Sequence, residues 1–138
     1  MKRVKWLSRN MIRMDQYLGL CLTEEAFRHE IRRLTGERKA AEWLSPGKHG
    51  RLHTLKDAKG STCLIVAIDI SLAKNVTEIV GLLTHEASHA FDAICESMGE
   101  TYPSSEFKAY GLQHLTLHLF DSFCEQMGFK WATGTKPT

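Results

Sequence analysis

The sequence predicts a single α+β domain, and three observations carry that expectation. The apolar run at 63–70, preceded by a strand-like stretch at 51–55 and the turn Asp57-Ala58-Lys59-Gly60, reads as a β-hairpin. Three stretches combine a capping residue with apolar spacing of three and four, the mark of amphipathic helices. Their order is strand, helix, hairpin, helix, helix, which places a short antiparallel sheet against the last two helices.

Residues 14–22 read as the first strand, ending before Thr23. Thr23 is a good N-cap, and Glu24 and Glu25 suit the positive end of the helix dipole. Ala26, Phe27, Ile31 and Leu34 form that helix's inner face, and Gly36 stops it. Arg28, Arg32 and Arg33 fall outside among Glu24, Glu25 and Glu30, a solvated face. Residues 45–50 are loop by composition, and 63–70 should be the most buried strand. Asn75-Val76-Thr77-Glu78 opens a helix in capping-box fashion, running to about Met98 with Gly99 as its stop. The last helix starts at Pro103-Ser104-Ser105, carries Phe107, Tyr110, Leu112, Leu115, Leu119, Phe120 and Phe123, and ends at Gly128. Residues 1–13 form a basic arm with Lys2, Arg3, Lys5, Arg9 and Arg13, and 132–138 a loose tail.

At 138 residues the chain is one ordinary domain, large enough to fold without disulfides or a metal. A net charge of +2 argues neither for nor against nucleic acid. No helix-turn-helix, zinc-finger or aromatic-platform pattern supports a nucleic-acid partner. Cys21, Cys63, Cys95 and Cys124 form no C-x-x-C pair, so reduced, buried thiols are expected instead of a cysteine–zinc site. No signal peptide or membrane-length apolar run is visible, which points to the cytoplasm of the cell that makes the protein, or to carriage in a larger particle.

The stretch that carries chemistry is His85-Glu86-Ala87-Ser88-His89. On a helix, residues four apart lie on one face, so both imidazoles can reach one tetrahedral zinc ion. Glu86 is rotated by roughly 100° and flanks the metal, where a base must stand to take a proton from coordinated water. The preceding turns (Ile79, Val80, Leu82, Leu83) are apolar, so the helix should be largely buried. A buried motif of this kind needs partners or a metal.

The motif leaves the third ligand open. The metzincin pattern would need glycine at 92 and histidine at 95, but Asp92 and Cys95 stand there. Asp92 suits a supporting or solvent-facing role, because one straight helix seldom offers three ligands to one ion. Glu106, in the first turn of the next helix, would return beside the motif across a short loop, and Glu96 is its nearest rival. Tyr110 follows Glu106 by one turn and is a candidate oxyanion donor. His114 is a second candidate electrophile, and with His118 it forms another pair at helical spacing.

These residues resemble those of small phage- and prophage-encoded metallopeptidases of minigluzincin type. The resemblance runs through Tyr17-Leu18-Gly19-Leu20-Cys21 and Thr23-Glu24-Glu25-Ala26-Phe27 to the Val66-Ala67-Ile68-Asp69 strand. It continues through Val80-Gly81-Leu82-Leu83-Thr84 into the His-Glu-x-x-His motif, and ends with Gly99-Glu100 and Pro103-Ser104-Ser105-Glu106-Phe107-Lys108-Ala109-Tyr110. It implies a zinc-dependent hydrolase with His85, His89 and Glu106 as ligands and Glu86 as base. It also implies an edge strand within 63–70 that pairs with an extended peptide or protein substrate of phage or host origin. Tyr110 stands where such families carry an acidic or amide residue that orients a histidine. The alternative is a non-catalytic virion or assembly protein that keeps the metal site and docks on other virion proteins.

Overall fold

A computed structural model describes residues 16–37 and 42–128. The expected basic arm, the loose tail and the start of the first strand at 14 and 15 lie outside the described residues. The elements in chain order are β1 (Tyr17–Cys21), α1 (Glu24–Thr35), β2 (Gly50–Lys56), β3 (Thr62–Ile68), α2 (Val76–Ser97) and α3 (Ser105–Gln126). A single 3-10 turn, Ile70–Leu72, leads from β3 towards α2. The α+β class is as the sequence indicates.

The local signals act where they were expected. Thr23 Oγ1 accepts from the Ala26 N–H at 3.1 Å, and Gly36 closes α1 in the left-handed region at φ 75°. Arg28 pairs with Glu24 and Arg33 with Glu30 on the outer face of that helix. In the hairpin turn, Asp57 Oδ1 accepts from the N–H groups of Lys59 and Ser61, each at 2.9 Å. The Ala58 N–H donates to the Leu34 carbonyl at 3.0 Å, which pins that turn to the end of α1.

One expectation is corrected. The sheet is mixed, not antiparallel: in the order β1-β3-β2, β2 pairs antiparallel with β3 but β1 pairs parallel to it. The physical reason is the crossover. Parallel neighbours cannot be joined by a tight hairpin, and the connection from β1 to β3 contains α1, packed on one face of the sheet, and the whole of β2. The central β3 is therefore covered on both sides. Leu64, Val66 and Ile68 face α2 and α3, while Ile65 joins Cys21, Phe27 and Ile31 under α1. Full burial of each such aliphatic side chain contributes about 1.5–3 kcal/mol.

Helices α2 and α3 pack against each other through Phe91, whose ring lies on Gly111. A Cβ at Gly111 would sit 2.3 Å from a carbon of that ring. Phe107 stacks obliquely on the same ring, with centroids 5.6 Å apart. The far end of α3 is tied to β1 by Gln126 Nε2, which donates to the Leu20 carbonyl at 3.0 Å.

His53 on β2 is the buried imidazole of the α1 face. Its Nε2–H donates to the Trp43 carbonyl at 2.8 Å, and its ring lies 4.4 Å from that of Phe27. Burial lowers its pKa; the nearby Arg51 charge acts the same way, and the carbonyl contact opposes both. The folded state thus binds the proton less readily than the unfolded chain, so stability rises with pH across this group's titration. The His53 contribution is complete above the ordinary value of 6.5 and is lost as pH falls below it towards the folded pKa. Urea titrations between pH 7.5 and 5 should show a decline in stability that is shallower in His53→Gln.

Candidate metal centre

The phase of α2 is set at its first turn. Asn75 Oδ1 accepts from the Glu78 N–H at 2.9 Å, and Glu78 reaches back to the Lys74 N–H at 2.7 Å. From that start, Ile79, Leu83, Ala87, Ala90 and Ile94 face the core. His85 and His89 then fall at the solvent rim and Glu86 points under the helix. The expectation of a buried motif is corrected in part: both imidazoles are exposed, while Glu86 and Ala87 are buried, Glu86 at 3% exposure.

The two imidazoles converge. His85 Nε2 and His89 Nε2 stand 3.2 Å apart, with ring centroids at 4.9 Å and planes at 75°. Two nitrogens bound to one tetrahedral zinc at its usual bond length would be about 3.3 Å apart. The pair therefore has the bite of a chelate, on a face open to solvent.

Glu86 completes a second part of the arrangement. Its Oε2 is buried without a hydrogen-bond partner among the described residues. Burial raises its pKa, while the neighbouring His89 and His85 pull it down. A carboxyl held in such a state costs stability and is typical of groups retained for chemistry. The convergent imidazoles have the spacing that two nitrogen donors to one divalent ion would need, and the buried carboxylate belongs to the residue next to one of them.

The strand at this site is β2, not the 63–70 segment. β3 spends its backbone groups on both neighbours in the middle of the sheet, whereas β2 is an edge. Gly50, the first residue of β2, lies against Glu86; a Cβ built on it would stand 3.2 Å from Glu86 Oε1. Sequence reading places Gly50 in the loop. Its closeness to Glu86 is a tertiary fact with no local signal beyond the absent side chain.

The other candidates are exposed. Glu106 is exposed in the first turn of α3, after the Ser104 cap whose Oγ accepts from the Phe107 N–H at 3.2 Å. Tyr110 is 68% exposed one turn further on. His114, His118, Asp92 and Glu96 are also exposed. Among the described residues, no three His, Cys, Asp or Glu side chains are gathered so as to hold an ion. The structure thus brings His85 and His89 together with Glu86 buried on the neighbouring position, and Glu106, Tyr110 and His114 are exposed on α3.

All four cysteines are free and buried, and burial pushes the Cys21 thiol up to about 11. Thiols in that state are poor nucleophiles and poor ligands. A cavity of about 570 Å³ lies elsewhere, between β1 and α1, and includes Glu30, Arg33, Asp57 and Gln126 in its lining. It contains no residue of the motif, and Glu30 and Arg33 are paired with each other there. No helix among the described residues is long and apolar enough to cross a membrane. No family model, curated protein or solved structure matches the chain.

If the converging imidazoles form the chelate, His85→Ala and His89→Ala should each weaken zinc binding by at least about 100-fold in calorimetric titration, more than outer-sphere changes typically cost. His118→Ala should leave the affinity within about twofold. Equal affinity in all three variants would place the ion elsewhere.

Proposed function

We propose that the chain is a zinc-dependent hydrolase that cleaves peptide bonds, built on a zincin-like arrangement of minigluzincin type. The observation that carries this reading is the pairing of two converging imidazoles with a buried, unpartnered carboxylate on the adjacent helical position. His85 and His89 hold the ion. Glu106, whose exposed side chain starts α3, is the third ligand in this reading.

When bound, zinc supplies Lewis acidity and lowers the pKa of coordinated water towards about 7. Glu86 would accept the proton of the attacking water, whose oxygen would bond to the scissile carbonyl carbon before the C–N bond breaks. Its burial raises its proton affinity, which suits a base working nearer neutrality than an ordinary carboxylate. The same carboxyl then holds the proton for the departing amine. Tyr110 and His114 are the side chains proposed to stabilise the developing oxyanion. β2 is an outer strand of the sheet, so β-strand addition at its edge would lay an extended peptide beside Glu86. A peptide or protein of phage or host origin as substrate, and a place in the host cytoplasm or on the virion, rest on the resemblance of the motif-bearing segments.

The test separates binding from chemistry. Glu86→Gln should retain zinc at wild-type stoichiometry while hydrolysis of an unstructured protein such as casein falls by about 100-fold or more, the scale of removing a positioned base. Purified wild-type protein that takes up no zinc would end this reading. Zinc uptake with no hydrolysis in either form would favour the virion or assembly role.

A further inference from the structure

Gly50 occupies a position where backbone freedom is not the requirement. It is the first residue of β2 and pairs with Ile68, the last residue of β3. Its φ lies outside the positive region in which Gly36, Gly47, Gly60, Gly99 and Gly128 stand. Any L-residue could adopt this backbone. Glycine in a strand forgoes packing and conformational stability, and its presence there often marks a close approach by another group.

The approaching group is the carboxyl of Glu86. A Cβ on Gly50 would lie 3.2 Å from Glu86 Oε1, 3.5 Å from Glu86 Cγ and 3.6 Å from the Ala67 carbonyl oxygen. The first distance is inside ordinary carbon–oxygen contact. The Ala67 carbonyl belongs to the central strand and is held by the sheet. The part able to yield is the Glu86 side chain, which would have to give by a few tenths of an ångström.

We infer that Gly50 is a positioning residue for Glu86: the missing side chain is the space in which the carboxylate stands, and it sets where that carboxylate lies relative to the edge of β2. The assignment rests on the proposed role of Glu86 only for its catalytic consequence; the contact itself is independent of it. A methyl group at this position presses on the carboxylate and shifts it by a few tenths of an ångström, while atoms of His85 and His89 are not among those it meets. The change therefore acts on proton transfer and not on metal binding.

The experiment is a thermal double-mutant cycle on metal-free protein, followed by assays of the zinc-loaded forms. Gly50→Ala should lower Tm by roughly 3–8 °C in the wild-type background, the scale of overpacking a filled site. The same change should leave Tm unchanged or raise it in Glu86→Ala, where the space is empty. It should remain destabilising in Glu86→Gln, which keeps the bulk and removes the charge. An equal Tm shift in all three backgrounds would overturn the inference, and so would a rise in the wild-type background. In the loaded enzyme, Gly50→Ala should keep zinc affinity within about twofold and lower kcat on casein at least tenfold with KM little changed. Unaltered kcat would also overturn the positioning role. If wild-type protein neither binds zinc nor hydrolyses casein, the proposed function fails, and the thermal cycle still decides whether Gly50 sets the place of Glu86.

Discussion

The rest of the site depends on holding the Glu86 carboxyl between a helix and a sheet edge without a hydrogen-bond partner for its buried oxygen. Such a group destabilises the fold that contains it. The arrangement is possible because one helical position, about 100° of rotation, separates a residue pointing under α2 from neighbours on its rim. A shift of one residue in the phase of α2 would, depending on its direction, either put the imidazoles into the core or put the carboxylate into water. The Asn75 cap and the buried row of Ile79, Leu83, Ala87 and Ala90 prevent that shift.

The architecture around this constraint divides the work between the two faces of the sheet. α1 covers one face and makes the crossover that leaves β3 central, so both faces of β3 are buried and β2 becomes an edge beside α2. On the other face, α2 and α3 approach closely because Gly111 offers no side chain to the ring of Phe91. The close approach sets α3, with Glu106 and Tyr110 on its solvent face, along the helix that carries the two histidines. Glycine therefore serves two contacts of the same kind: at 111 it admits a ring, and at 50 it admits a carboxylate.

The helices and the hairpin were legible in the sequence because their signals are local. Thr23, Gly36, Asn75 and Ser104 act as caps or stops where their chemistry suggests, and Asp57 and Gly60 make the turn. His85 and His89 could be paired from spacing alone, since helical periodicity is also local. Three features were not legible. The parallel pairing of β1 with β3 joins residues more than forty positions apart, such as Tyr17 and Cys63, and no short-range pattern encodes its direction. The assignment of β2 as the edge followed from that pairing, so it was missed with it. The burial of Glu86 beneath exposed histidines depends on which side of α2 meets the sheet, which the apolar turns before the motif do not resolve.

In the proposed site, His85 and His89 share one ion on an open face, with oxygen donors completing its shell. X-ray absorption at the zinc edge, on protein loaded with one equivalent, measures this directly. Two imidazole nitrogens and oxygen donors at about 2.0–2.2 Å are the expected result, with the imidazole signal lost in the His85→Ala, His89→Ala double variant. Sulfur scattering near 2.3 Å, or an imidazole signal unchanged in that variant, would contradict it.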